Sequence, residues 1–205
     1  MNSRLRERGQ PGPQSSEPPV EGASPADGAL LLCVDMQPVF LRAMAEGVRV
    51  QQRCKLAIAA AHGLGLPVIF TEQVPEKLGR TASELIAVAP GAAVFGKNTF
   101  SAFADGRTRE AIIQEINADH VIVCGIETPI CVYQTAIAAL VEGIEVTILS
   151  DAVGARRPDD ARTCLEELSR AGAHVLPTES VFYALLRDAK HPFFRTYTEL
   201  VKAHG

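Results

Sequence analysis

Three residues of this 205-residue sequence could together form a nucleophilic site: Asp35, Lys97 and Cys131. A thiol can attack a carbonyl carbon, a carboxylate can accept the thiol proton, and an ammonium can stabilise developing negative charge. Each residue alone also has an ordinary explanation, as a turn aspartate, a solvated loop lysine or a buried structural cysteine. The three favour a catalytic site only if the fold brings them together.

The strongest local signal surrounds Cys131, in the segment GIETPICVYQTAIAALVEG. Thr128 is a suitable N-cap and Pro129 suits the first helical position, so a helix is predicted to begin here. Cys131 then falls in the first turn, where unpaired N–H groups and the positive end of the helix dipole favour a thiolate. By contrast, Cys33 and Cys124 lie inside apolar runs and are predicted to be core residues.

The other two residues follow apolar segments. Asp35 comes directly after the run ALLLCV, and Lys97 lies in VFGKNTFSAF, where apolar side chains surround it closely. A carboxylate held at the edge of a sheet can act as a general base. An ammonium in an apolar setting can stabilise a neighbouring anion.

The order of elements along the chain predicts how these residues are positioned. Six segments have the continuous apolar character of buried strands: Ala29–Val34, Leu66–Phe70, Ala92–Phe95, His120–Cys124, Ile144–Leu149 and His174–Leu176. Helical segments alternate with them: Val48–His62, Thr81–Ala87, Arg107–Ile116, Pro129–Glu142, Pro158–Ala171 and Glu179–Arg187. The alternation predicts an α/β fold, a three-layer αβα sandwich with a mainly parallel, doubly wound sheet. Ligands bind such sheets at the carboxyl ends of the strands, where all three residues are expected.

Composition excludes several classes of function. The chain is 47% hydrophobic and has a net charge of −4, without a basic patch or a long apolar run. A soluble protein that binds neither nucleic acid nor membranes is therefore expected. Five cysteines without CxxC spacing argue against a disulfide framework or a zinc site and favour a cytoplasmic location.

The first 27 residues differ in composition from the rest. They are rich in Pro, Gly, Ser and charge and lack the apolar segment of a signal peptide. Residues 1–27 are therefore predicted to be disordered, and residues 28–205 to form one domain.

The motifs CVDMQPVF, KNTFSAF, GIETPICV and LSDAVGAR, in this order, resemble the isochorismatase-like superfamily of cysteine hydrolases over residues 28–195. TEQVPEKLG and DAKHPFF resemble its uncharacterised isochorismatase-domain hydrolases in particular. The resemblance implies a six-stranded parallel sheet, a triad of Asp35, Lys97 and Cys131, and a homo-oligomer. It also implies a cis peptide bond between Ile126 and Glu127 and an oxyanion hole formed by the backbone N–H groups of Glu127 and Cys131.

Two departures narrow the expected chemistry. Nicotinamidases of this superfamily bind a metal through an Asp and two His after the second strand, and the matching stretch TEQVPEKLGRTASEL contains no His. No metal or other cofactor is therefore predicted. True isochorismatases have Gly where this chain has Cys131, so the thiol argues against isochorismate as the substrate.

These observations predict acyl transfer to water, through a thioester on Cys131, with a small amide or related C–N compound as substrate. Five residues could contact it: Glu72, Gln73, Thr99, Phe103 and, for an anionic group, Arg156. Loop polar residues are, however, more often structural or solvated than substrate contacts. A catalytically weak binding or scaffold protein with the same fold is the alternative. A redox role for Cys131 is a third possibility, but no resolving cysteine is suitably spaced.

Overall fold

The computed structural model describes residues 27–204. The segment predicted to be disordered lies outside the described residues, apart from Asp27. No helix in the described part of the chain is long and apolar enough to cross a membrane.

A six-stranded parallel sheet forms the centre of the fold, with strand order β3-β2-β1-β4-β5-β6. The strands are β1 (Ala29–Val34), β2 (Val68–Gln73), β3 (Ala93–Lys97), β4 (His120–Ile126), β5 (Glu145–Gly154) and β6 (His174–Leu176). The chain winds outward from β1 in one direction through β2 and β3, and in the other through β4, β5 and β6. The doubly wound α/β architecture predicted from the alternating elements is therefore confirmed.

Nine α-helices connect and cover the strands within the described residues. They are α1 (Pro38–Leu41), α2 (Gly47–Gly63), α3 (Pro75–Leu78), α4 (Ser83–Ile86), α5 (Gly106–Glu110), α6 (Tyr133–Val141), α7 (Pro158–Arg170), α8 (Thr178–Leu186) and α9 (Phe194–His204). Two π-helical turns, Ala111–Glu115 and Thr128–Val132, continue α5 and precede α6. A short 3₁₀ turn spans Ala102–Ala104.

The core lies on both faces of the sheet. On one face, Leu31, Cys33 and Phe70 pack with residues of α2, α8 and α9. On the other face, Leu30 and Leu32 pack with residues of α6 and α7 and with Ile112. Every residue of β1 is buried, which explains why its sequence is continuously apolar instead of alternating.

Two features differ from the sequence-based elements. Helix α9 was not predicted; the ring of Tyr197 anchors it against Phe182 of α8, with centroids 6.0 Å apart. Strand β2 continues three residues beyond its predicted end, through Thr71, Glu72 and Gln73. Polar residues normally indicate a strand end, but these three find hydrogen-bond partners inside the protein and remain buried.

Candidate active site

Asp35 lies at the carboxyl end of β1 with only 1% of its surface exposed. Its backbone has a positive φ of 51°, an uncommon conformation for a residue other than glycine. One carboxylate oxygen, Oδ1, accepts a hydrogen bond from Thr71 Oγ1 at 2.8 Å. The other, Oδ2, accepts one from Lys97 Nζ at 2.7 Å. The carboxylate is therefore fixed at both oxygens and removed from solvent.

Lys97 is the last residue of β3, and its side chain is fully buried. Its ammonium donates to Asp35 Oδ2 at 2.7 Å, to Gln73 Oε1 at 2.7 Å and to the carbonyl of Thr99 at 3.2 Å. An ammonium has three donors, so its hydrogen-bonding capacity is fully used. Lys97 is thus a fixed interior charge beside Asp35 and not a solvated loop lysine.

Cys131 lies in the π-helical turn that follows β4, on the wall of the cavity that also contains Asp35. Its sulfur is 4.0 Å from Gln73 Oε1, and the residue is 7% exposed. Gly125 allows this approach: it has a φ of +116°, and a Cβ there would lie 2.2 Å from the carbonyl oxygen of Val34. Only glycine lets β4 come so close to the end of β1, the point from which Asp35 projects.

The turn that holds Cys131 is not capped as the sequence predicts. Its N-cap is Glu127, without a side-chain capping bond, and the Thr128 hydroxyl is buried without a hydrogen-bond partner. The carbonyl of Glu127 accepts hydrogen bonds from the N–H groups of Ile130 at 3.0 Å and Val132 at 3.2 Å. The N–H of Cys131, between them, is not a donor to this carbonyl. The Ile126–Glu127 peptide bond is cis, the conformation that the resemblance implied.

The environment of Cys131 favours the thiol. Burial raises the pKa of Cys131 to about 12; the negative charge of Asp35 acts in the same direction, and the positive charge of Lys97 opposes both. This direction is opposite to the thiolate that the helix dipole by itself favours. The sequence pattern identifies the start of a helix, but it does not show that the sulfur is desolvated beside a carboxylate. A reaction at this sulfur would therefore require removal of the thiol proton.

A cavity of about 330 Å³ is lined by both Asp35 and Cys131. Asp35, Gln73 and Cys131 contribute the polar groups of its interior, and Glu127 and Arg156 also line it. The remaining lining residues are apolar: Val39, Phe40, Ala43, Phe100, Ile126 and Ile130. This volume is near the lower end of small-molecule sites. A larger cavity of about 620 Å³ beside α7 contains none of Asp35, Lys97 and Cys131, so we place no chemistry there.

Three residues predicted to contact a substrate lie outside the lining of this cavity. Glu72 accepts a hydrogen bond from the backbone N–H of Thr81 at 2.8 Å and pairs with Arg80, so it holds the segment after α3. The hydroxyl of Thr99 donates to the carbonyl of Ser101 at 2.8 Å. Phe103 packs in the core, 5% exposed. Two others, Gln73 and Arg156, do line the cavity.

Sequence reasoning missed several residues of the site. Phe100, three residues before Phe103 in the same segment, lines the cavity together with Phe40. Thr71, which donates a hydrogen bond to Asp35, was not identified because the predicted second strand ended one residue earlier, at Phe70.

Gln37 was also missed, and its only sequence signal is its place in the motif CVDMQPVF. Its amide forms two bonds with the backbone of Gln73, accepting from the N–H at 2.7 Å and donating to the carbonyl at 3.0 Å. It also donates to the carbonyl of Gly79 at 2.6 Å. Gln37 therefore fixes the strand end that carries Gln73.

Arg156 does not present an unpaired cation to the cavity. Its Nε donates to Glu127 Oε1 at 2.7 Å, and its backbone N–H donates to Oε2 at 3.3 Å. Among residues 27–204, no cluster of three or more His, Cys, Asp or Glu residues is arranged to hold a metal ion.

The fold is that of the isochorismatase-like hydrolases. The Isochorismatase domain family model matches residues 29–180, and the chain belongs to this family. It is 32% identical over 183 residues to the secreted isochorismatase effector Isc1 of Phytophthora sojae, covering 88% of this chain and 87% of that protein. It is 34% identical to isochorismatase domain-containing protein 2 of Danio rerio, covering 85% of this chain and 87% of that one.

Solved structures agree with this assignment. The structure of the MAR1 ribonuclease from Caenorhabditis elegans superimposes with a TM-score of 0.81 at 28% identity, covering 88% of this chain and 92% of that chain. The resemblance seen in the sequence motifs is confirmed. Members of the isochorismatase family are generally hydrolases, and the family includes cysteine hydrolases. Hydrolysis is the general class of activity that membership indicates.

Proposed function

We propose that this protein is a cysteine hydrolase that cleaves a small amide or related C–N compound through a thioester on Cys131. The observation that carries the proposal is that Asp35, which lines the same small cavity as Cys131, is paired with the buried Lys97 at 2.7 Å. Burying two charges is expensive, and packing alone does not require it. A general base held beside a nucleophile explains the arrangement.

The first chemical step forms a carbon–sulfur bond. Asp35 accepts the thiol proton as the sulfur of Cys131 attacks the carbonyl carbon, and the carbonyl electron pair moves onto oxygen. The backbone N–H groups of Glu127 and Cys131 donate to this oxyanion. When the intermediate collapses, the C–N bond breaks, and protonated Asp35 returns its proton to the leaving nitrogen.

The second step regenerates the enzyme. Asp35, again a carboxylate, accepts a proton from a water molecule that attacks the thioester carbonyl, and the carbon–sulfur bond then breaks. The proton passes from Asp35 to the sulfur of Cys131, which restores the thiol. Because all three donors of Lys97 are engaged, its role is to provide a fixed positive charge that keeps Asp35 in place and balances its charge.

A small molecule is a better substrate for this cavity than RNA. The related Caenorhabditis elegans structure is that of a protein called a ribonuclease. In this chain the net charge is −4, and the one cation among the described residues that line the cavity, Arg156, is already paired with Glu127. Nucleic-acid binding requires unpaired basic groups that neutralise phosphates. We therefore propose an RNA oligonucleotide as the negative control for activity.

The test is a screen of small primary amides, read out as release of ammonia, with intact-mass detection of an acyl adduct. Wild-type protein should turn over at least one member, and Cys131→Ala should lose both turnover and adduct. Cys164→Ala is the matched control, because Cys164 is a partly exposed cysteine outside the cavity. Equal turnover in wild type and Cys131→Ala would refute the nucleophile. No turnover and no adduct across the screen would favour the binding or scaffold alternative.

We also propose a cytoplasmic location and a homo-oligomer. All five cysteines are free thiols, as a reducing compartment would maintain. Val48 and Val141 are 73% and 82% exposed, which self-association could cover. Light scattering after size-exclusion chromatography tests the oligomer, and a monomer at micromolar concentration would refute it.

A further inference from the structure

Two ion pairs lie within or beside the cavity that contains Cys131, and together they leave it without net charge. The interior pair is Asp35 with Lys97. The second pair, Glu127 with Arg156, lies on the cavity lining, with its atoms 2.7 Å apart. The Glu127 side chain is only 10% exposed, whereas that of Arg156 is 57% exposed. Each positive charge therefore has its own carboxylate partner before any ligand arrives.

Two hydrogen bonds hold Glu127 and Arg156 together. Glu127 receives a charged hydrogen bond from Nε of Arg156 and a second, longer one from the backbone N–H of the same residue. The carboxylate is thus held at both oxygens by one residue. A carboxylate-bearing ligand could still reach the Nη groups of Arg156, but it would meet a guanidinium whose charge Glu127 already neutralises, and the two carboxylates would repel each other.

The rest of the lining gives a charged ligand no compensation. Apart from Gln73, whose amide is already bonded to Lys97 and to the carbonyl of Asn98, and Cys131, its other side chains are aliphatic or aromatic. A charge moved from water against them loses solvation without gaining a partner. Lys97 cannot help, because its three donors already have acceptors. An uncharged amide avoids these costs, and its apolar part gains contact with the walls.

We propose that Glu127, by neutralising Arg156, is the residue that makes this site select small uncharged amides over anionic ones. The proposal deepens the proposed function by naming its substrate class. It revises the prediction that Arg156 recognises an anionic group. It also assigns the Glu127 side chain a role separate from that of its backbone N–H in the oxyanion hole.

A pair of alkylating reagents tests charge selection without knowledge of the substrate. Iodoacetamide and iodoacetate have nearly the same size and leaving group, and differ in charge. In each reaction the sulfur of Cys131 forms a bond to the methylene carbon, iodide leaves, and the thiol proton goes to a base. The measured quantity is the labelling rate with iodoacetamide divided by the rate with iodoacetate at pH 9. This ratio is then divided by the same ratio for N-acetylcysteine.

The labelled position must be assigned by peptide fragmentation. Trypsin leaves Cys124 and Cys131 on one peptide, since no Lys or Arg lies between Arg109 and Arg156. A Cys164→Ala background removes the partly exposed thiol from the mass analysis.

For wild type we expect the normalised ratio to favour the neutral reagent by about tenfold. Glu127→Gln leaves Arg156 uncompensated and should reduce this preference by about fivefold. Arg156→Gln leaves Glu127 uncompensated and should increase it by a similar factor. The double variant should return close to wild type, which separates a charge effect from a disturbed fold. Melting temperatures of the variants are measured alongside.

A wild-type ratio equal to that of N-acetylcysteine would overturn the proposal, and so would single variants that move the ratio in the same direction. Absence of labelling by iodoacetamide would overturn it as well, because the proposal requires neutral amides to reach the sulfur. Failure of this proposal can be distinguished from failure of the proposed hydrolase function. Charge-selective labelling without turnover refutes the hydrolase but keeps the selectivity, and turnover with unselective labelling does the reverse.

Discussion

Replacing Lys97 by Met should strongly destabilise the protein, because it removes one partner of a buried ion pair. Met has a similar length and fills the space of the lysine stem. The change leaves Asp35, 1% exposed, with Thr71 as its remaining side-chain hydrogen-bond partner, and removes the donor to Gln73 Oε1. Breaking a buried pair from one side typically costs about 3–5 kcal/mol. We expect a loss in this range in the free energy of unfolding.

The double variant decides whether the pair itself is responsible. Asp35→Asn combined with Lys97→Met removes both charges, so its loss of stability should be smaller than the sum of the single losses by about 2 kcal/mol or more. Urea unfolding followed by circular dichroism gives all four free energies. Lys202→Met is the matched control, since Lys202 pairs with Glu199 on the surface and both are about two-thirds exposed.

Two results would refute this reasoning. One is a loss below about 1 kcal/mol for Lys97→Met, the size expected for a surface pair. The other is strict additivity in the double variant, which would mean that Asp35 and Lys97 do not interact energetically.

Three further perturbations have defined outcomes. The rate of Cys131 alkylation should keep rising with pH through pH 9, because the pKa of its thiol lies near 12, and a plateau near pH 7 would contradict this. Asp35→Asn should raise the labelling rate at pH 8 and abolish turnover. Thr71→Val removes the hydroxyl that holds Asp35 Oδ1 and should cost about 1.5–3 kcal/mol of stability and at least about tenfold in kcat, and wild-type kcat would argue against a positioning role. Gly125→Ala should destabilise by more than about 2 kcal/mol in urea unfolding, since its Cβ would collide with the carbonyl of Val34, and a neutral effect would contradict the close approach of β4 to β1.

The sequence by itself determined the order of the elements and the type of fold. The continuous apolar runs predicted at Ala29–Val34 and His120–Cys124 belong to strands buried on both faces, and this local property can be read without knowledge of their partners. The same reading placed Asp35 and Cys131 beyond the ends of those strands. In a parallel sheet these ends share one edge, so the proximity of the two residues followed from topology.

Tertiary structure decided the features that depend on partners far along the chain. Strand β2 extends through Thr71 because Asp35, 36 residues earlier, accepts its hydrogen bond. Helix α9 depends on the packing of Tyr197 against Phe182. Local patterns cannot show such contacts, so polar strand ends and peripheral helices were misassigned.

The electrostatics of the site were also decided only by the fold. A helix start near Cys131 predicts an acidic thiol, whereas burial beside Asp35 raises the pKa of that thiol. Similarly, the sequence suggests Arg156 as a contact for an anionic group, and only the fold pairs it with Glu127, 29 residues earlier. Desolvation and charge pairing depend on which groups surround a residue in space, and the fold alone establishes those surroundings.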